Sequence, residues 1–405
     1  MMYRIVLWLI TTMIVVPMTI KGYGALIIVA PIVAISYFIV VIINNKRKIS
    51  KAVLYVFVAY IISTIVISTI PSLYGTDNYD FVIFMSYGLF VFIVSYMLSE
   101  LYLCCYKVDF QQYIIRDIYF IGVLNSFITI MVLISPEFSK FIYNIIDTSA
   151  VNKHQLSLGF RSSGLFYYGG SVMSMFHCIC IYAGLNYIKN RESGSSIFSL
   201  IGLMANVNAV LISGRMGMMY LMLLLIIILL LPENISRCSK KTVKSILLLN
   251  GLFMLVIVLL YYEELKMLIE WAFELFINIF ERGGVTTDST EELKSMYRFP
   301  SDIIFGDGLF SQNRLKIDSG YVLLIWFFGV VGLTIFLSLI LSIFLIALSK
   351  KKNKDIFYLH VVVLSVILLG NFKDTYLFGS NGVTQLYFIS LIASFRCFRH
   401  NITSI

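Results

Sequence analysis

Apolar residues run almost without interruption near 5–20, 24–43, 52–71, 81–98, 118–135 and 165–188, and again near 197–212, 216–231, 245–262, 320–348, 356–370 and 382–396. A helix of about 20 such residues covers a hydrocarbon core roughly 30 Å thick. The pattern therefore predicts an all-α, polytopic membrane protein with about 12 transmembrane helices.

The residues between the runs predict its orientation. Lys46, Arg47, Lys48 and Lys51 form one basic turn, and Lys107 with Arg116, then Lys189 with Arg191, form the next two. Arg237, Lys240, Lys241 and Lys244 follow, then Lys350, Lys351, Lys352 and Lys354, then Arg396 and Arg399. With Arg4 these clusters hold 19 of the 31 basic residues, whereas the short turns on the opposite side hold only Lys21, Arg215 and Lys373. Positive charge in short loops collects on the cytoplasmic side, so both termini are predicted there. The same parity requires an even number of spans in 197–231. Two helices meeting at Ser213-Gly-Arg-Met-Gly217 satisfy it, with the glycines permitting a tight turn and Arg215 at the outer face.

Two sizeable outer loops remain, 136–164 and 263–318. The second is 56 residues long and carries 11 of the chain's 22 acidic residues, a concentration of charge that needs water. Within it Glu263, Lys266, Glu270, Glu274, Asn278 and Glu281 recur at helical spacing opposite Leu265, Leu268, Trp271, Leu275, Phe276 and Ile279. That is an amphipathic helix, resting on the membrane surface or the bundle, or else an outward continuation of the preceding span.

Composition agrees with this organisation. Hydrophobic residues at 59%, charged residues at 13% and a mean hydropathy of +0.90 exclude a water-soluble globular domain. No further polar segment leaves room for a second domain, so residues 1–405 read as one membrane domain. The net charge of +9 orients the protein in its membrane and does not point to nucleic acid. The six cysteines imply no disulfide, and Cys178-Ile-Cys180 lacks the spacing of a zinc site. The first apolar run has no small-residue cleavage site after it and reads as a retained span.

Candidate chemistry concentrates at the outer face. His177 and His360 lie in spans, where a histidine satisfied by a neighbouring helix is the expectation. Arg161 stands where the first long loop enters a span, Arg215 sits in its hairpin, and Arg298 and Arg314 lie in the large loop. A guanidinium is always charged and donates bidentately, which suits a phosphate or pyrophosphate. An interfacial arginine also snorkels to lipid headgroups, and that reading stands beside the first for each. Asp318 is the carboxylate at the head of the span that follows; it would serve as a base, as an N-cap, or as both. Trp271, Tyr297, Phe299 and Phe310 would stack on sugar faces or pack in a core.

Four features together resemble a known family, the Wzy-type O-antigen or capsular polysaccharide polymerases, related to the O-antigen ligases. They are Arg161-Ser-Ser-Gly-Leu-Phe at a span entrance; Ser213-Gly-Arg215; Phe305-Gly-Asp-Gly308 followed by Asp318-Ser-Gly-Tyr321, Gly329 and Gly332; and Asn371-Phe-Lys373 in the last outer turn. The chain departs from the family in lacking the R-x10-G loop motif, since the eleventh residue after Arg161 is Val172 and after Arg298 is Leu309. Ligases of the wider family look to a histidine in the large outer loop, where this chain has none.

The resemblance implies a metal-independent glycosyltransferase, without cofactor, of a bacterial cytoplasmic (inner) membrane. Its substrates would be undecaprenyl-pyrophosphate-linked glycans, and its partners membrane lipid, a chain-length regulator and a flippase. The site needs cations where pyrophosphate leaves and a base at the attacking hydroxyl. Arg161, Arg215 and Arg298 are expected at the first and Asp318 at the second, with Arg314, Lys373, Tyr297 and Tyr321 contributing to substrate binding. A flippase for the same lipid-linked sugars and an O-antigen ligase are the alternatives.

Overall fold

The computed structural model describes residues 2–43, 49–157, 161–190, 197–214, 216–230, 294, 297–349, 354–377, 379 and 381–396. Each apolar run that falls on described residues carries a helix. The run at 245–262 and the expected amphipathic helix over Glu263 to Glu281 lie outside them. Among the described residues, four helical stretches are long and apolar enough to cross a membrane: Lys51–Leu73, Asp80–Ile134, Ser171–Lys189 and Gly320–Ser349. Shorter apolar helices accompany them.

The helices gather into two compact units, Met1–Asp117 with Arg298–Ile405, and Ile118–Tyr297. The first unit opens with α1 (Met2–Val15) and α2 (Ala25–Tyr37), joined by a hairpin of β1 (Thr19–Ile20) and β2 (Tyr23–Gly24). Its two central residues, Lys21 and Gly22, both have positive φ, the twist that matches a two-residue hairpin. A π-helical segment, Phe38–Ile43, extends α2. Next come α3 (Lys51–Leu73) and α4 (Asp80–Tyr106).

The long stretch Asp80–Ile134 is two helices. The chain bends at Lys107, φ +50°, before α5 (Phe110–Ile134) begins. The Tyr102 hydroxyl donates to Asp117 Oδ2 at 2.8 Å, a contact that 15 residues of unbroken helix, about 22 Å, could not make. Around this bend the Tyr106 and Tyr113 rings stack at 3.8 Å, and the Arg4 guanidinium lies 5.6 Å and 5.5 Å from their centroids.

The unit is completed by α11 (Gly320–Ser349), α12 (Lys354–Gly370) and α13 (Val383–Phe395). Every residue of α13 is buried, packed by α4, α12, α1, α3 and α11, so this helix, buried all round, is the axis of its unit. At its end Arg396 pairs with the fully buried Glu100 carboxylate and donates to the Tyr96 hydroxyl at 3.1 Å. By contrast α3 and α11 leave Ile62, Ile65, Val66, Ile335 and Leu341 exposed, an apolar surface of the kind suited to lipid.

α11 is broken. Phe328 and Gly329 are non-helical, and the segment 303–309 supplies what the break removes. Ile303 and Ile304 carbonyls accept the Val330 and Val331 N–H groups at 2.9 and 3.2 Å, and the Trp326 carbonyl accepts from Asp307 and Leu309. Interrupted helices survive at membrane depth only where protein groups satisfy the freed backbone. Gly329, at φ +69° and ψ −175°, permits the contact, because a Cβ there would stand 2.1 Å from the Ile304 carbonyl oxygen.

The second unit contains the rest of α5, then α6 (Pro136–Ile145), α7 (Ala150–Ser157), α8 (Ser171–Lys189), α9 (Ile197–Ser213) and α10 (Met216–Leu230). The loop expected over 136–164 is thus partly helical; Ser135 caps α6 by accepting Phe138 N–H, with Pro136 at its first position. Buried α8 is the axis here, packed by α9 and α10.

Candidate functional site

In the first unit three polar segments meet: the turn 72–80, the segment 298–319 and the turn 371–381. Tyr74 donates to the Phe305 carbonyl at 3.0 Å, Thr76 to the Gly308 carbonyl at 3.2 Å, and Phe310 N–H to Asn78 Oδ1 at 2.9 Å. The Phe305-Gly-Asp-Gly308 stretch is therefore clamped between the first of these turns and the break in α11. Asp307 accepts from Ser301, and Asp302 accepts the Ile304 and Phe305 N–H groups, so these two carboxylates shape the loop.

α11 begins at Gly320 with Leu323 N–H bonded to the Ser319 carbonyl. Asp318 stands outside the helix, exposed, and accepts no hydrogen bond from the described residues; the capping role considered for it is not realised. Beside it Asn371, buried, accepts Tyr376 N–H on its side chain and Tyr321 N–H on its carbonyl, and donates to the Ile367 carbonyl. The side-chain amide shapes the last turn, and the Asn371 carbonyl fastens that turn to the start of α11. Tyr321 donates to the Leu368 carbonyl at 2.8 Å and sets its ring against Phe372.

The residue that sequence reasoning missed is Asp374, one place beyond the quoted motif. Half-buried, it accepts Gln312 Nε2 at 2.9 Å and Thr375 N–H at 2.7 Å. Burial raises its carboxyl above the ordinary range and Asp318 pushes the same way, against these donors and Lys373. The segment thus offers an exposed carboxylate at Asp318, a second that holds its proton more tightly, and Lys373 between helices α12 and α13. Arg314 is exposed on a single helical turn, Gln312–Leu315, and the Arg298 carbonyl accepts Trp326 Nε1–H at 2.7 Å while the residue itself is exposed.

In the second unit Arg161 opens a turn that is built into the helices below it. Ser162, Ser163 and Phe166 are buried, Leu165 N–H bonds to Asn125 Oδ1 at 2.9 Å, and Ser163 reaches the Tyr143 and Thr148 hydroxyls. Gly164, φ +55°, lies so close to α5 that a Cβ would stand 2.4 Å from Thr129 Oγ1. α9 and α10 form the expected hairpin, with Gly217 N–H bonded to the Gly214 carbonyl and Ser213 bonded to Ser174 of α8 at 2.5 Å. Arg161 faces it. A Cβ on Gly214 would meet the Arg161 Cζ at 3.8 Å, and one on Gly170 would meet a guanidinium nitrogen at 3.7 Å.

Of the residues singled out in the sequence, Asp318, Tyr321 and Lys373 share one polar end of the first unit with Asp374. Arg161 shares one end of the second with the hairpin that carries Arg215, itself outside the described residues. Tyr297, exposed, belongs to the second unit. No family model, curated protein or solved structure matches this chain. The site is accordingly argued from its own residues.

Proposed function

We propose that the chain is a membrane glycosyltransferase that polymerises undecaprenyl-pyrophosphate-linked oligosaccharide repeat units at the outer face of a bacterial cytoplasmic membrane. In this reading it crosses the bilayer twelve times with both termini inside. The observation that carries the proposal is pairing. Four stretches chosen from sequence for their likeness to such polymerases come together two by two: Arg161 against Gly214 of the Ser213-Gly-Arg215 hairpin, and the Asp318-Ser-Gly-Tyr321 stretch bonded to Asn371 of the Asn371-Phe-Lys373 turn.

Chemically, the bond from the anomeric carbon of the donor chain to its pyrophosphate oxygen breaks, and a bond from the acceptor sugar's hydroxyl oxygen to that carbon forms. The hydroxyl proton passes to a carboxylate, for which exposed Asp318 is the assigned acceptor. Charge builds on the departing undecaprenyl pyrophosphate, and the likeness to the polymerases assigns the guanidinium groups of Arg161, Arg215 and Arg298 to it. Arg314, Lys373, Tyr297 and Tyr321 would hold the two glycans. Arginine suits this task without a divalent ion, so the activity is proposed to need neither metal nor cofactor.

The test is the carrier-lipid glycan profile of cells lacking the protein. Accumulation of single repeat units on the carrier at the outer leaflet is the expected result. Accumulation at the inner leaflet would replace the polymerase with a flippase, and full-length carrier-linked polymer that fails to reach its final acceptor would replace it with a ligase.

A further inference from the structure

The second unit contains a buried polar network that the chemistry above does not use. Asn125 on α5, His177 on α8 and Asn206 on α9 are each fully buried. Their hydrogen bonds fix one another's orientation. Leu165 N–H can only donate, so it finds the Asn125 oxygen at 2.9 Å, leaving the Asn125 amide nitrogen to donate to His177 Nε2, also at 2.9 Å. Nε2 is thereby the acceptor and the ring proton sits on Nδ1, which donates to Asn206 Oδ1 at 2.8 Å. The Asn206 amide nitrogen then donates to the Gly202 carbonyl at 2.9 Å. Ser126, whose hydroxyl donates to the Gly122 carbonyl, adds a second contact at His177 Nδ1.

Every bond in this chain donates in the same direction, from the Leu165 amide through three helices to Gly202. Bonds so aligned polarise one another, and a partly satisfied network at this depth is costly. The outer end of the chain is the turn that begins at Arg161. We propose that His177 is a positioning residue: through Asn125 it holds the 161–166 turn in register, and so sets the Arg161 guanidinium against the hairpin. Joining three helices would not by itself require the Leu165 amide; the network's reach into the turn is what assigns it this role. The link from the turn to catalysis rests on the polymerase reading, but the positioning itself does not.

The experiment uses the purified full-length protein in nanodiscs and reads hydrogen exchange peptide by peptide, alongside polymer length in cells at matched membrane levels. His177→Phe keeps a planar ring and removes the contacts with Asn125, Asn206 and Ser126. Exchange across 161–168 should rise by about fivefold to tenfold, the loss of roughly one buried hydrogen bond, while peptides of α10, which the chain of bonds does not enter, stay unchanged. His177→Gln offers a carbonyl oxygen to accept from Asn125 and an NH2 group to donate to Asn206, and should restore slow exchange. Should His177→Phe fail to insert, Asn206→Ala cuts the chain at its far end and should loosen the same turn selectively. In cells, polymer should shorten with His177→Phe, and the additional effect should shrink in an Arg161→Lys background, because both changes act through one group. Unchanged exchange in 161–168, or an equal rise throughout the unit, would overturn the proposal. Exchange is read whatever the protein catalyses, so a selective rise supports the positioning even if the carrier-lipid profile rejects a polymerase.

Discussion

Replacing Gly329 by alanine tests whether the broken helix α11 is latched by the segment it meets. Two costs add. The Gly329 backbone, φ +69° and ψ −175°, lies in a region almost reserved for glycine, which costs an L-residue about 1–3 kcal/mol. The new Cβ would also stand 2.1 Å from the Ile304 carbonyl oxygen and 2.5 Å from Phe305 N, both backbone atoms that cannot swing aside. The segment must therefore retreat and forfeit the bonds from Val330 and Val331, each worth about 0.5–1.5 kcal/mol. The sum is about 2–6 kcal/mol against the latched state. In hydrogen exchange on the full-length protein, peptides covering 303–309 should exchange at least roughly thirtyfold faster. Gly22→Ala is the control, since its φ is +84° but nothing lies within 4 Å of the added methyl; it carries strain without the collision and lies away from the 303–309 segment. Equal exchange at 303–309 in Gly329→Ala and wild type would refute the latch.

Asp374→Asn should stabilise the protein at neutral pH. The wild-type carboxyl is raised in the folded state, so the fold binds more protons than the unfolded chain between the ordinary value near 3.8 and the raised one, and stability falls as pH climbs through that window. Asparagine keeps an acceptor for Gln312 and Thr375, and its advantage should vanish below the ordinary carboxylate range; a gain independent of pH in thermal unfolding would contradict this. Arg161→Lys keeps charge but loses the planar fork, and at a pyrophosphate contact should cost about 2–4 kcal/mol, roughly a hundredfold or more in polymerisation rate. Near-normal polymer at matched expression would retire Arg161 as a site residue. A cysteine at Thr287 should react with an impermeant thiol reagent from outside and one at Asn353 should not; reversed labelling would invert the assigned sidedness.

The helices were legible because burial in lipid leaves a one-dimensional trace: the uninterrupted run at 320–348 reads directly as α11. The same uniformity hid its break. Phe328 and Gly329 sit amid apolar neighbours, and what holds them out of the helix is a segment some 20 residues upstream, a tertiary fact that periodicity does not carry. The hairpin at Gly214 was readable from charge parity and paired glycines. Helix α6 could have been read from Ser135-Pro-Glu137, a capping residue followed by proline and an acidic first turn. Asp374 lies one residue beyond the Asn371-Phe-Lys373 resemblance, and only its burial against Gln312 and Thr375, a tertiary feature, sets it apart from other carboxylates in short turns. Asn125, His177 and Asn206 were equally visible as polar side chains in apolar runs; which ones meet depends on how three helices rotate, and that is fixed by packing.

The pairing of Glu100 with Arg396 sets a clock on biosynthesis. Arg396 stands 300 residues beyond its neighbouring partner Tyr96, and at roughly 5–20 residues per second the ribosome needs about 15–60 s to bridge that gap. Throughout this interval α4 sits without the helix that will bury its carboxylate. The first unit can therefore close only after residue 396 has been made, and its early helices must wait in lipid or in the care of the insertion machinery. A nascent chain stalled before residue 383 would present quality-control proteases with an acidic side chain and a vacant axis.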